Sequence, residues 1–162
     1  MVVMDQYTRR IIGFATHKGC VTGVDLCCMF NKIITMKLLP KYLSSDNGPL
    51  FLFHRWQANC RILDIEEIKS VPHVPTSHPF IERLIGSVRR DILEKTFYWN
   101  AYDLQNKLEL FHNYYNEERC HHGIDGITPL NKADESPSAV VFIDNYRWKK
   151  HCRGLFELPI AA

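Results

Sequence analysis

No apolar run in this 162-residue chain approaches the roughly eighteen residues needed to cross a bilayer. The first residues also lack the basic-then-apolar pattern of a secretory leader, so the expected location is cytoplasmic. Low-complexity segments and internal repeats are missing as well, which excludes solenoids and linkers. Six cysteines are present, scattered without a CxxC pair. In a cytoplasmic chain they are expected to be reduced and mostly buried. Charge of one sign is scarce too: a formal net charge of +2 is too small to argue for a nucleic-acid partner by itself. What remains is an ordinary composition, 46% hydrophobic and 23% charged, and a length suited to one globular domain with a real core.

The distribution of charge says more than its sum. Arg83, Arg89 and Arg90 lie close together, and Arg147, Lys149, Lys150 and Arg153 gather around Trp148. Each group is read either as a solvated face or as a set of phosphate contacts. A metal reading of His112, Cys120, His121 and His122 is weak, because no second ligand pair stands at a finger-like distance.

Val2 to Met4 and Arg10 to Thr16 read as two strands joined by a turn at Asp5–Thr8. Thr22 and Asp25 form a capping-box pattern that opens a helix with Leu26, Met29, Phe30, Ile33, Ile34 and Lys37 along its stripe, and Pro40 stops it. Tyr42–Ser45 reads as a strand, Phe51–Ile62 as a helix and Ile65–Val71 as another strand. Three prolines between Pro72 and Pro79 mark a loop, with Pro79 suited to the first position of a helix. Ile81, Leu84, Ile85, Val88 and Ile92 then follow at helical spacing. Asn100 and Asp103 start a long helix with Leu104, Leu108, Phe111 and Tyr115 on its buried face. Strands alternating with helices predict an α/β fold with a helical C-terminal part.

Two carboxylates draw the eye. Asp46 stands in "SSDNGPLF", where Asp, Asn and Gly break a strand. It is either a turn former or a ligand at a strand end. Glu82 falls in the first turn of the helix opened by Pro79, where an acid complements the helix dipole or does chemistry. Glu82, Gly86 and Arg89 share one helical face, so Gly86 permits close approach of DNA or of another helix.

Positions 47 to 81, 35 residues, separate the two acids. At this point the chain resembles the D-D-35-E integrases and transposases. "SSDNGPLF" looks like their second-Asp motif, and "PTSHPFIERLIGSVRRDIL" is similar to their third-acid segment, with His78-Pro79 where Asn-Gly is common. "YYNEERCHHGIDGITP" resembles the "YN..RpH..L...tP" segment of bacterial insertion-sequence transposases, and "VVMDQYTRRIIGF" their strand-turn-strand "hhDxxSRxhhG".

The resemblance covers roughly residues 1–130. It implies an RNase H-like mixed sheet flanked by helices, with residues 1–130 a partial catalytic core and 131–162 a C-terminal extension, either a DNA-contacting arm or a packed tail. It further implies DNA integration or transposition by metal-dependent phosphoryl transfer. Asp46 and Glu82 would be the catalytic acids and the ligands of Mg²⁺ or Mn²⁺, and Arg83, Arg89 and Arg90 would bind DNA. The implied assembly is a homo-oligomer acting on DNA, with no membrane and no small-molecule substrate. The family's first catalytic Asp lies on a strand upstream of the segment that matches Met1 to Met4, and Asp5 matches a turn position instead. The alternative is therefore an inactive remnant that only binds DNA or self-associates.

Overall fold

The computed structural model describes residues 1–69, 78–134 and 146–161. Strand β1 (Val2–Met4) pairs antiparallel with β2 (Ile11–Phe14), with a bulge after Val3. The turn between them is made by Asp5: Oδ1 accepts the Tyr7 N–H at 3.0 Å and Oδ2 accepts the Thr8 hydroxyl at 2.6 Å. Arg9 closes it at φ 64°.

Helix α1 (Gly23–Ile34) opens on the expected capping box, with Thr22 and Asp25 each accepting from the other's backbone. It ends earlier than the stripe suggests. Thr35 leaves helical geometry and Met36 takes φ 63°, so Lys37 lies beyond the helix, and its ammonium instead bonds the Ile12 carbonyl.

Strand β3 (Tyr42–Ser45) runs parallel to β4 (Glu66–Lys69), and helix α2 (His54–Ile62) crosses between them. The helix begins three residues later than expected because Phe51 and Leu52 close a turn on the Gly48 carbonyl. The proline-rich loop and the expected end of the strand at Val71 fall outside the described residues. Helix α3 (Pro79–Val88) starts with Pro79 in its first turn and passes into a π-helical turn at Arg89–Leu93. Leu84, Val88 and Ile92 are buried, whereas Ile85 is exposed and Ser87 takes an inward position. Helix α4 (Ala101–Glu117) is capped by Asn100, and a short α5 (Pro129–Asp134) follows. Strands β5 (Tyr146–His151) and β6 (Phe156–Ala161) form an antiparallel hairpin.

The four N-terminal strands thus form two separate pairs, one antiparallel and one parallel. One core cluster joins β2, α3 and α4 through Ile11, Phe14, Leu84, Ile92, Leu108 and Phe111. A second joins α1, α2 and the β3–β4 pair around Trp56, whose ring meets Phe30 and Phe51 edge-on at 5.2 and 5.3 Å. The hairpin docks on α4, where the Tyr114 and Phe156 rings stack at 4.3 Å and 4°. Glu118 pairs with Lys149 at 3.3 Å. Met1 and Val3 contact both the Trp56 cluster and a small one formed by Ala15, Met29 and Ile33, linking the two halves.

All six thiols are free, but most are not buried. Cys20, Cys28 and Cys120 are exposed, and only Cys60 is fully enclosed. Among the described residues no helix is long and apolar enough to cross a membrane.

Candidate active site

Asp46 follows directly on the last residue of β3, where the chain leaves the strand for a turn. Its Oδ1 accepts the Gly48 N–H at 2.8 Å, an Asx-type bond that shapes the turn. A Cβ on Gly48 would lie 2.8 Å from that same oxygen, so glycine is what allows the carboxylate to fold over its own loop. Asp46 is exposed, and among the described residues it enters no ion pair. It is a turn former with a carboxylate still open to solvent.

Glu82 lies in the first turn of α3, again exposed and without an ion pair among the described residues. Its N–H bonds the His78 carbonyl at 3.1 Å. His78 is the N-cap, but its side chain makes no capping bond, and its Nε2 is buried without a partner among the described residues. After Glu82 the same helix presents Arg83, and the π-helical turn that follows presents Arg89 and Arg90, all exposed and none in an ion pair among the described residues. At Gly86 the nearest atom to where a Cβ would stand is a guanidinium nitrogen of the exposed Arg90, at 3.1 Å.

Other candidates are resolved by their surroundings. Both oxygens of Asp5 serve the β1–β2 turn. Among the described residues no group of three or more His, Cys, Asp or Glu side chains is placed to hold a metal ion, which removes the zinc reading. His112 is tied to β2, its Nε2 3.0 Å from the Ile11 carbonyl oxygen. His121 packs against the Tyr115 ring at 4.5 Å. Burial, aided by the positive charge of Arg119, pushes the imidazole of His121 down to about 4. Among the cations near the C-terminus, Lys149 faces Glu118 and Lys150 faces Glu157 at 3.3 Å. The side chains of Arg147 and Trp148 fall outside the described residues.

Sequence reasoning missed a polar cluster beneath the Asp46 turn. One carboxylate oxygen of Glu67 accepts from the Ser45 hydroxyl and the Trp56 indole, both at 2.6 Å, and from the Lys69 ammonium at 2.7 Å. Lys69 also donates to the Ser45 hydroxyl at 3.1 Å and to the Phe51 carbonyl at 2.8 Å. Three ionisable residues among the four of β4 were the available signal, since charges on a half-covered strand need partners.

Comparison with known proteins agrees with this architecture. Residues 63–129 match the family model described as the integrase core domain. The chain is 24% identical over 133 residues to the "Insertion element IS476 uncharacterized 39.2 kDa protein" of Xanthomonas euvesicatoria, covering 82% of this chain and 38% of that protein. Among solved structures, the bovine immunodeficiency virus (BIV) integrase catalytic core domain has a TM-score of 0.63 at 22% identity, covering 83% of this chain and 84% of that one. The simian T-cell lymphotropic virus intasome, solved with the PP2A regulatory subunit B56 gamma, gives 0.67 at 20% identity, covering 91% of this chain and 54% of that chain. The HTLV-2 integrase catalytic core domain, solved in complex with magnesium in a dimeric form, gives 0.57 at 18%, covering 80% of this chain and 79% of that one. The fold is therefore that of the integrase catalytic cores, RNase H-like with mixed strands and flanking helices. The chain spans about two fifths of the length of the curated relative it matches.

Proposed function

We propose that this chain carries an integrase core of the DDE integrase and transposase superfamily and is the part of an insertion-sequence transposase that cleaves and joins DNA strands. The matches to an integrase core domain and an insertion-element protein support this reading. The observation that carries the reading is the pair of exposed carboxylates, Asp46 after a strand and Glu82 on the first turn of a helix, with 35 residues between them. Hard oxygen donors outside any ion pair suit Mg²⁺ or Mn²⁺, which commonly take one or two protein carboxylates and complete their shells with water and phosphate oxygens. Asp46 and Glu82 would hold that ion. Bound there, it would polarise the phosphoryl group under attack and neutralise charge on the leaving oxygen.

The protein's own part is placement. Arg83, Arg89 and Arg90 supply guanidinium groups along the segment that follows Glu82, and DNA phosphates are their natural partners. No serine or cysteine nucleophile is needed, because water or a DNA 3′-hydroxyl attacks. We assign residues 1–130 to the core and 131–162 to an extension whose β5–β6 hairpin docks on α4. The protein works in the cytoplasm as a homo-oligomer on DNA. A second reading, DNA binding without cleavage, is favoured by one observation: among the described residues no group of three or more His, Cys, Asp or Glu side chains forms around Asp46 or Glu82.

Labelled DNA with Mg²⁺ or Mn²⁺ tests both. Nicking and joining that is lost in Asp46→Asn and in Glu82→Gln is the expected result, and full activity in either variant would overturn the assignment. A parent that binds DNA without nicking would support the second reading. There, Arg89→Ala should lower the slope of log affinity against log salt by about 1.

A further inference from the structure

The loop that presents Asp46 has no regular structure, yet it is anchored from below by a single cation. The Lys69 ammonium reaches three acceptors: the Glu67 carboxylate at 2.7 Å, the Ser45 hydroxyl at 3.1 Å and the Phe51 carbonyl at 2.8 Å. An ammonium has three N–H groups, so this one is saturated. Ser45 immediately precedes Asp46, and Phe51 closes the turn by donating its N–H to the Gly48 carbonyl at 2.9 Å. The cation therefore ties the entry of the Asp46 segment to its exit. Ser45 and Lys69 are register partners across the β3–β4 pair, so the tie is referred to the strands.

Glu67 gives the arrangement its second property. Its side chain is 13% exposed, and its one bonded oxygen also holds the indole N–H of the fully buried Trp56 at 2.6 Å. An ammonium close to an exposed aspartate would ordinarily pair with it and compete with any other cation. Held by Glu67, Lys69 spends its charge elsewhere, and Asp46 stays open. An exposed Lys–Glu pair on a surface does little. This pair is partly enclosed and shares a network with a core tryptophan.

We infer that Lys69, held by Glu67, is the positioning residue that sets the Asp46 carboxylate for its divalent cation. It touches neither substrate nor ion and acts through Ser45 and Phe51. The inference rests on the reading of Asp46 as a metal ligand. Groups that orient metal ligands from behind change metal affinity by roughly 10- to 100-fold when removed. Lys69→Met should weaken Mn²⁺ binding by that factor, and Lys69→Arg should restore part of it. Glu67→Gln should also weaken it, because the freed ammonium can turn to Asp46.

The test is Mn²⁺ affinity of the whole chain, read from the electron paramagnetic resonance signal of free Mn²⁺, beside hydrogen exchange of the Gly48 amide without metal. That amide reports directly on the Asp46 carboxylate. Weaker Mn²⁺ binding and faster Gly48 exchange in Lys69→Met, both recovered in Lys69→Arg, support the inference. Equal binding by the parent and Asp46→Asn would refute the metal-ligand reading itself. Weak binding by Asp46→Asn together with parental binding by Lys69→Met would refute only the positioning role. Should Lys69→Met not fold, Ser45→Ala removes one of the three acceptors while keeping the Lys69–Glu67 pair. Parental affinity and parental Gly48 exchange in that variant would then count against the tie.

Discussion

Replacing Asn116 by leucine should destabilise the protein well beyond the effect of losing one polar contact. Asn116 is 3% exposed and lies near the end of α4, against the outer edge of β2. Its Oδ1 accepts the Ile11 N–H and its Nδ2 donates to the Ile11 carbonyl, each at 2.9 Å. The side-chain amide thus stands in for the peptide of a neighbouring strand. Gln105, eleven residues earlier and so three helical turns away on the same face, does the same: it donates to the Phe14 carbonyl at 2.9 Å and accepts the Thr16 N–H at 3.0 Å. Together they close an edge that would otherwise invite pairing with another chain. In Asn116→Leu the Ile11 carbonyl keeps His112, 3.0 Å away, but the Ile11 N–H is left buried and unpaired. An unsatisfied buried donor costs about 1–3 kcal/mol, and the second lost bond adds about 1 kcal/mol. The expected loss is therefore about 2–4 kcal/mol, a large share of a typical domain's stability. Urea unfolding followed by circular dichroism measures it. Asn116→Asp sharpens the test. Its carboxylate still accepts from Ile11 N–H but sets an oxygen against the Ile11 carbonyl, so it should be destabilised at neutral pH and partly recover when acid protonates it. A leucine variant within about 0.5 kcal/mol of the parent, the range of an ordinary surface change, would refute the edge-sealing argument.

Two further substitutions probe local energetics. His121 is held neutral in the fold down to about 4 by burial, against about 6.5 when unfolded. As pH falls from 6.5 towards 4 the unfolded chain takes up a proton that the folded chain refuses, so stability falls across that window. The ceiling for 2.5 pH units is about 3 kcal/mol, and partial exposure of the ring brings the expectation to about 1–2 kcal/mol. Urea midpoints at pH 7.5, 5.5 and 4.5 should therefore fall more steeply for the parent than for His121→Gln, and parallel curves would contradict the burial argument. Gly23→Ala places a methyl 2.0 Å from the Phe53 ring at the first turn of α1. The usual helix gain from alanine should be outweighed by overpacking, with a net loss of about 1–2 kcal/mol in thermal unfolding.

What could be read from the residues follows the range of the interactions involved. Thr22 with Asp25, Pro79, and Asn100 with Asp103 mark helix starts through bonds made within four residues, and all three stand where the sequence pattern puts them. Periodicity alone overran the end of α1, because Lys37 keeps the spacing although Thr35 and Met36 have already left the helix. It also assigned Ile85 to the buried face, which Leu84, Ser87, Val88 and Ile92 occupy instead. The Glu67–Lys69 cluster was invisible for a different reason. Its acceptor and donors sit 22, 18 and 11 residues apart along the chain, and only the parallel pairing of β3 with β4 brings them together.

The same distinction divides the motifs that carry the family resemblance. The "YYNEERCHH" segment looks as diagnostic as the two acidic motifs, yet several of its side chains are engaged within the fold. Tyr114 stacks on Phe156, Asn116 seals β2, Arg119 pairs with Asp91 at 2.7 Å, and His121 packs on Tyr115. Asp46, Glu82, Arg83, Arg89 and Arg90 are all exposed. A side chain that has already satisfied its hydrogen bonds within the fold has little left to offer a phosphate or a cation. An exposed acid or base outside any ion pair does. Motif resemblance brings both groups to attention. Burial and bonding then place the segment around Asn116 in the architecture and leave the carboxylates and arginines on the surface.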